Sequence, residues 1–360
     1  MQKKILELCL SPDLGGLELC AADYFKYFQT KTEAYLCVAP DKKLDAFIED
    51  THKFTFRRSK FFPLFPARKL ARFIDENEID FIHFHWTRDI ATAVLAKVLS
   101  KRKPQLMQSR HMTMTRFKSD FYHKWLYKNI DIMHAVTQQV QEQLVRFTPD
   151  EVRPKVEMVY LGVDEPNINI DKVASLKEKY NLQESFIVGM IGRIEEGKGQ
   201  YLLLDALAKL KGFDIKVLIV GAAMSEEYIE ELYKKVKKLG IEERVVFTGF
   251  TKDVHEHLQL CDLSVLATPK ETFGLVIIES MANGVPVIAT NRGGPLEIID
   301  DGIDGLLFNR TSEELAEKIE SVYKERTLKE SLAKAAKEKV ASKFNKTTQM
   351  QKMYEVISES

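Results

Sequence analysis

The sequence predicts an α/β protein built from two open parallel sheets in tandem, and three observations carry that prediction. Its 360 residues exceed what one ordinary core supports and fit two domains. Short apolar runs alternate with amphipathic, helix-like segments, which is the pattern of βαβ units around a parallel sheet. That alternation restarts once, after a polar junction near 161–170.

In the first half KKILELCL, EAYLCVA, DFIHFHW, QLMQSR and DIMHAVT read as strands, with ATAVLAKVLSK as one of the helices between them. After YLGVD (160–164) and the polar PNINIDKV, the runs FIVGMIG, IKVLIVG, RVVFTG, LSVLAT and VPVIAT read as the strands of a second sheet. The Lys/Glu/Ala-rich stretch of about 312–343 reads as a solvated surface helix. KFNKTTQMQKMYEVISES, which closes the chain, is also helical in pattern.

Composition excludes several classes. Hydrophobic residues make up 45%, which is a folded globular chain, and 53 basic residues balance 53 acidic ones. Neither a strongly basic nucleic-acid binder nor an acidic tail fits that balance. The charge is unevenly placed: residues 1–160 carry 26 Lys/Arg against 20 Asp/Glu, a net of +6, which leaves −6 for the remainder. An anionic partner is therefore expected on the first half. Cys9, Cys20, Cys37 and Cys261 match no zinc or redox spacing and read as reduced thiols of a cytosolic protein. KKILELCL runs into Pro12 and Asp13 too soon for a signal peptide, and no apolar run approaches membrane-spanning length. A soluble or peripheral protein is expected.

Open α/β sheets bind ligands outside the carboxyl ends of their strands, so the loops there are where chemistry is sought. The loop after FIVGMIG, Gly192 to Gly199, fits the phosphate-loop pattern except that Gly199 stands where a magnesium-binding hydroxyl is needed. The same loop lacks the third glycine of a dinucleotide fingerprint. What remains is a flexible turn carrying Arg193 and Lys198, two cations suited to a diphosphate; taken alone, it reads equally as a plain βα turn.

A second loop, after LSVLAT, leads into ETFGLVIIE (271–279). Glu271 falls in the loop, and a helix is expected to begin near Phe273 to Leu275. Its first N–H groups would point at whatever lies above them, and Gly274 lets a ligand approach the backbone. Glu279 follows Leu275 by four residues and shares its face one turn deeper, where a carboxylate can accept from vicinal hydroxyls such as those of a ribose. A buried helix with a capping glutamate and an incidental Glu279 is the alternative.

With these motifs in place, the chain resembles the retaining glycosyltransferases of the GT-B fold, in particular the large group-4 family (glycosyl transferases group 1). The resemblance rests on an ordered set: PDLGGLE (12–18), DFIHFHW (80–86), the histidine of SRHMT (109–113), YLGVD, GRIEEGKG, VVFTGF (245–250), ETFGLVIIE with its Glu-x₇-Glu pattern, and GGPLEII (293–299). It covers nearly the whole chain, and it departs from the family pattern at the junction, where Leu161 replaces the usual Asn.

The resemblance implies two Rossmann-like, doubly wound domains facing across a cleft: an acceptor domain over 1–164 with 344–360, and a donor domain over 165–343. It implies that Arg193 and Lys198 hold the donor diphosphate and that Phe273, Gly274 and Leu275 surround it, two of them through backbone N–H. Glu279 would take the ribose, and Glu271 hydroxyls of the transferred sugar. Phe250 is similar in position to residues that contact the base. Gly15 and Gly16 would close over the donor phosphate, and His111 would reach the donor sugar. The co-substrate would be a nucleotide-sugar, UDP-linked, and the acceptor a glycan or glycolipid such as lipopolysaccharide, capsule or lipid-linked oligosaccharide. No Asp-x-Asp pair for a divalent metal is present, which agrees with a metal-independent route in which the departing phosphate helps to deprotonate the acceptor. A sugar-nucleotide epimerase of the same fold, or a non-catalytic sugar-nucleotide binder, are the alternatives.

His83 and His85 share one face of their strand and could be read as metal ligands, but no third ligand is evident in the sequence, and structural or acceptor-side roles are expected. Residues 54–73 hold six Lys/Arg, six Phe and no acid, and 116–128 repeats the mixture more weakly. Arg57, Arg58, Lys60, Phe61 and Phe62 are therefore expected on an acceptor-facing or membrane-facing surface, with an anionic bilayer as partner at the inner face of the cell membrane. No nucleic-acid module accompanies them. The alternative is that the phenylalanines are core and the charges are solvated.

Overall fold

The structure is a computed structural model that describes residues 2–59 and 63–360. The chain divides into two compact units, Met1–Tyr160 with Thr348–Ser360, and Leu161–Thr347. Each is a parallel sheet covered by helices.

The first unit holds β1 (Ile5–Cys9), β2 (Ala34–Val38), β3 (Lys53–Thr55), β4 (Phe81–Phe84), β5 (Gln105–Arg110), β6 (Ile132–Ala135) and β7 (Lys155–Met158). Their order is β3-β2-β1-β4-β5-β6-β7, parallel throughout. Side chains alternate between the two faces. One face is conventional core, with Leu6, Leu8, Ile82, Phe84, Leu106 and Met133 packed together. The other carries Glu7 in register with His83, and Ser109 in register with His134. The Tyr24 ring of helix Gly16–Gln29 lies over it, 5.1 Å from His83 and 5.7 Å from His85. From the far end of the chain, helix Lys346–Ser358 meets the same helix: Tyr27 donates to Gln351 at 2.7 Å, and Phe28 lies 6.0 Å from Tyr354.

The second unit holds β8 (Phe186–Ile191), β9 (Ile215–Val220), β10 (Val245–Gly249), β11 (Leu263–Leu266), β12 (Val287–Thr290) and β13 (Leu306–Phe308), in the order β10-β9-β8-β11-β12-β13. Buried Val188, Met190, Val217, Ile219, Leu263, Val265 and Ile288 form its centre. The junction belongs to it: Val163 donates to the carbonyl of Phe344 at 2.9 Å, and Lys346 returns a bond to Val163 at 3.0 Å. Leu161 is 6% exposed. An apolar side chain suits that position.

Three strands escaped the sequence reading: β3, β7 and β13, each of three or four residues at a sheet edge. Edge strands are short and only half covered, so they lack the continuous apolar run that marks a central parallel strand. The stretch 312–343 also differs from expectation. It forms two helices, Ser312–Lys324 and Arg326–Lys343, and neither is wholly solvated. Leu315, Ile319 and Val322 of the first and Leu332, Ala336 and Val340 of the second are buried.

Glycines end three neighbouring strands of the second sheet. Gly221 donates to the carbonyl of Gly249 at 3.0 Å, and Gly192 donates to that of Val220 at 2.9 Å. Gly221 has φ +148°, and a Cβ there would lie 1.9 Å from the carbonyl oxygen of Gly192. That is a collision with backbone, which cannot swing away. Gly221→Ala is therefore expected to destabilise the protein by about 3 kcal/mol or more, read as a lower urea midpoint. A wild-type midpoint would show that this contact is not tight.

Candidate functional site

In the second unit, two loops meet at the carboxyl edge because their strands, β8 and β11, are parallel neighbours. The loop after β8 is held from below by Gln200, 1% exposed, which donates to the carbonyl of Arg193 at 3.0 Å. Arg193 extends outward and pairs with Glu195 at 3.2 Å, its side chain 54% exposed. Lys198 turns toward the other loop and meets Glu271 at 3.2 Å. A partly exposed ion pair contributes little to stability. It does hold an ammonium at the loop junction, where an incoming anion can take the carboxylate's place.

Beyond Glu271 the chain turns into helix Leu275–Ala282, with Gly274 as its N-cap in the left-handed region, φ 102°. A Cβ at Gly274 would lie 2.9 Å from Ile277 and 3.4 Å from the Glu271 side chain. The positive φ is what favours glycine here, since the Ile277 methyl can give way. The N–H groups of Gly274, Leu275 and Val276 have no hydrogen-bond partner among the described residues. They are the ordinary orphan donors of a helix start, and they lie beside Glu271. One turn on, Glu279 is only half-buried by accessible surface, yet protein packs around most of its carboxyl. Burial raises its pKa from the usual range to about 7, and the charge of Lys346 acts the other way. No described side chain hydrogen-bonds that carboxyl. Keeping that carboxyl ionised there costs stability.

Phe273 does not sit as a ligand-stacking ring would. It is 3% exposed and lies edge-on to Phe344 at 6.0 Å, so any contact with a ligand would come from its backbone. Phe250, just after β10, is 65% exposed. A depression of about 540 Å³ beside Gly197, lined by Tyr201, Tyr228 and Arg310 among others, contains neither glutamate.

In the first unit, Gly15 and Gly16 lie at the start of helix Gly16–Gln29, after β1. The Glu18 carboxylate accepts from the Gly15 N–H at 2.9 Å. His111, half-buried, follows β5, with Nε2 3.2 Å from Nδ1 of His85. His85 Nε2 and His83 Nδ1 lie 2.6 and 2.9 Å from the two oxygens of Glu7. His83 continues through Ser109 (2.7 Å) to His134 (2.6 Å), which ends on the carbonyl of Val159 (2.7 Å). Burial moves His83, His85, His111 and His134 down to about 3 and Glu7 up to about 7.

Glu7 is thus the third group that His83 and His85 seemed to lack. The three offer ligand atoms within 4.8 Å of one another, the geometry of a candidate metal site. Each of those atoms is already in direct hydrogen-bond contact, so the group is complete as a polar ladder. Glu7 lies 76 residues from His83, and the register of β1 on β4 joins them. The sequence carried no signal of that beyond one acid inside an apolar run.

The basic aromatic stretch divides. Phe56 is 2% exposed, and Phe54 stacks on Phe73 at 4.4 Å, so these rings belong to the core. Arg58 lies over Trp86 at 4.8 Å, while Arg57 pairs with exposed Asp41 at 3.2 Å. Lys60, Phe61 and Phe62 lie outside the described residues. Within the two stretches, Phe65 (73%), Phe117 (61%) and Phe121 (87%) are exposed.

Comparison with known proteins adds to this geometry. The family model described as Glycosyl transferases group 1 matches residues 173–339, and that of Glycosyltransferase Family 4 matches 14–165. The N-acetyl-alpha-D-glucosaminyl L-malate synthase of Bacillus anthracis is 31% identical over 81% of this chain and 77% of its own. The lipopolysaccharide core biosynthesis glycosyltransferase LpsE of Rhizobium meliloti is 32% identical over 44% of this chain and 46% of its own. The crystal structure of Anabaena Alr3699/HepE in complex with UDP-glucose superposes with a TM-score of 0.87 at 25% identity, covering 99% of this chain and 100% of that one.

The raised pKa of Glu279 makes a signed prediction. A carboxyl raised from 4.5 to about 7 contributes stability below 4.5 that is lost as pH rises through 7. Glu279→Gln removes that loss. It is expected to melt roughly a few degrees above wild type at pH 8 and together with it at pH 4. Equal melting at both pH values would mean that the carboxyl is solvated.

Proposed function

Because the chain belongs to the group-1 glycosyltransferase family, with two Rossmann-like units of the GT-B kind, we propose that it is a retaining, metal-independent transferase. In this reading it moves a hexosyl group from a UDP-sugar to a glycan or glycolipid acceptor. The observation that carries the reading is the placement of Lys198 and Glu271 in contact beside the open N–H groups of the helix at Gly274, with Glu279 one turn deeper. A nucleoside diphosphate has the matching order of groups: sugar hydroxyls for Glu271, a diphosphate for the cations and amides, a ribose for Glu279. UDP as the nucleotide is supported by the ligand of the Anabaena structure.

As the glycosidic bond to the donor breaks, negative charge grows on the β-phosphate. Arg193, Lys198 and the helix-start amides stabilise that charge most when it is fully developed, which is the condition for catalysis rather than mere binding. Fixed cations make a divalent ion unnecessary, and the departing phosphate accepts the acceptor's proton on the face it leaves, which retains configuration. A lipid-linked acceptor is supported by the lipopolysaccharide core role in the name of the Rhizobium meliloti relative and by the exposed Phe65, Phe117 and Phe121 near basic residues. Such rings enter an interface while cations meet lipid phosphates. No helix among the described residues is long and apolar enough to cross a membrane, so the attachment proposed is peripheral, on the cytoplasmic face.

Thermal shift with UDP, GDP, ADP and their common sugars in EDTA tests the donor. UDP compounds are expected to stabilise wild type without metal and to lose at least about tenfold in affinity in Glu279→Ala and in Lys198→Ala. A strict metal requirement, or preference for another base, would overturn that part. Conversion of the donor to an isomer without any acceptor would identify an epimerase instead. Flotation with anionic but not neutral vesicles, weakened in Phe121→Ser, is expected if the surface meets lipid; equal recovery with both would exclude it.

A further inference from the structure

The polar ladder of the first unit takes no part in holding the diphosphate, and it ends on His111. Its hydrogen bonds can be counted. The carbonyl of Val159 can only accept, so His134 must carry its proton on Nε2. A neutral His134 then accepts at Nδ1 from the hydroxyl of Ser109. Ser109, having donated, accepts from Nε2–H of His83, and neutral His83 accepts at Nδ1. The donor to that nitrogen is Glu7, which must therefore hold a proton on Oε1. Its other oxygen accepts from Nε2–H of His85, and His85 accepts at Nδ1 from Nε2–H of His111.

We propose that Glu7 is a positioning residue: protonated toward His83, it orders every donor and acceptor in the ladder and, through His85, holds His111 in the tautomer with its proton on Nε2 and its lone pair on Nδ1. An ionised Glu7 would accept from both histidines, and the shift would propagate through three hydrogen bonds to leave His134 with two protons. The proton count is the same, but a carboxylate and an imidazolium would then stand apart in a dry interior, which is costly. Burial acts against both charges, raising Glu7 to about 7 and lowering His134 to about 3. No neighbour reverses this. Tyr24 presents a ring, Arg110 disfavours a cation at His111, and Glu157, in register with His134, is taken by Lys155 at 2.8 Å.

The Nδ1 of His111 makes no hydrogen bond to a described residue. On the transferase reading, on which this one consequence rests, a sugar hydroxyl meeting His111 donates its proton to that nitrogen. The tautomer itself is a property of the ligand-free chain and can be measured whether or not the protein transfers a sugar.

The test is long-range ¹H–¹⁵N correlation on the full chain labelled at histidine, with His111 assigned by its loss in His111→Asn. Expected is an unprotonated Nδ1 and a protonated Nε2 at His111, with a neutral His134. Glu7→Gln should keep both states and melt close to wild type, because its amide donates to His83 and its carbonyl accepts from His85, as the protonated acid does. Glu7→Leu should release His111 into exchange between tautomers. A protonated Nδ1 in wild type, a cationic His134, or an unchanged His111 in Glu7→Leu would overturn the proposal, as would movement of the His83 and His85 signals on adding zinc. If Glu7→Leu does not fold, wild type and Glu7→Gln still decide it.

Discussion

Parallel strand pairing is the constraint on which the rest depends. Every strand of a parallel sheet leaves at the same edge, so the loops that follow neighbouring strands are forced together however far apart they lie in sequence. Lys198 and Glu271 are 73 residues apart and in contact because β8 and β11 pair side by side. Gly221 stands at that edge too, letting backbone approach backbone where a side chain would collide with the carbonyl of Gly192. In the first unit the same rule puts Glu7 beside His83 and brings the loop that carries His111 to the end of the ladder.

Both units keep ionisable groups where burial opposes their charge. In the second, burial raises Glu279 to about 7 against the opposing charge of Lys346, and in the proposed reading a ligand's hydroxyls meet that carboxyl. In the first, the ladder from the carbonyl of Val159 to His111 gives each of its own donors an acceptor, with the Glu7 carboxyl raised to about 7. A half-satisfied ladder would cost more than an apolar face, so its completeness is what makes it tolerable.

Much of this was legible in the chain. The central strands were, because strands buried on both faces are continuous apolar runs, and ETFGLVIIE was, because its two carboxylates and its glycine lie within one stretch. What could not be read depends on pairing across the sheet. Glu7 looks like one acid in an apolar run until the register sets it against His83, and Gln200 looks like a surface residue until its amide is seen supporting Arg193. Whether the phenylalanines of 54–73 are core or surface is open in the sequence, and Phe54 on the short edge strand β3 and Phe56 just after it turn out to pack into the core. Phe273 likewise followed its motif, while its ring turned inward.

The central claim is that the helix start at Gly274 and the loop of Lys198 receive the donor diphosphate. Hydrogen exchange by mass spectrometry, with and without a saturating UDP-sugar, addresses it directly. Slowed exchange is expected at the amides of 274–276 and 193–199, whose N–H groups would then be bonded or covered. Protection confined to other segments, with these amides exchanging as freely as in the empty protein, would contradict it.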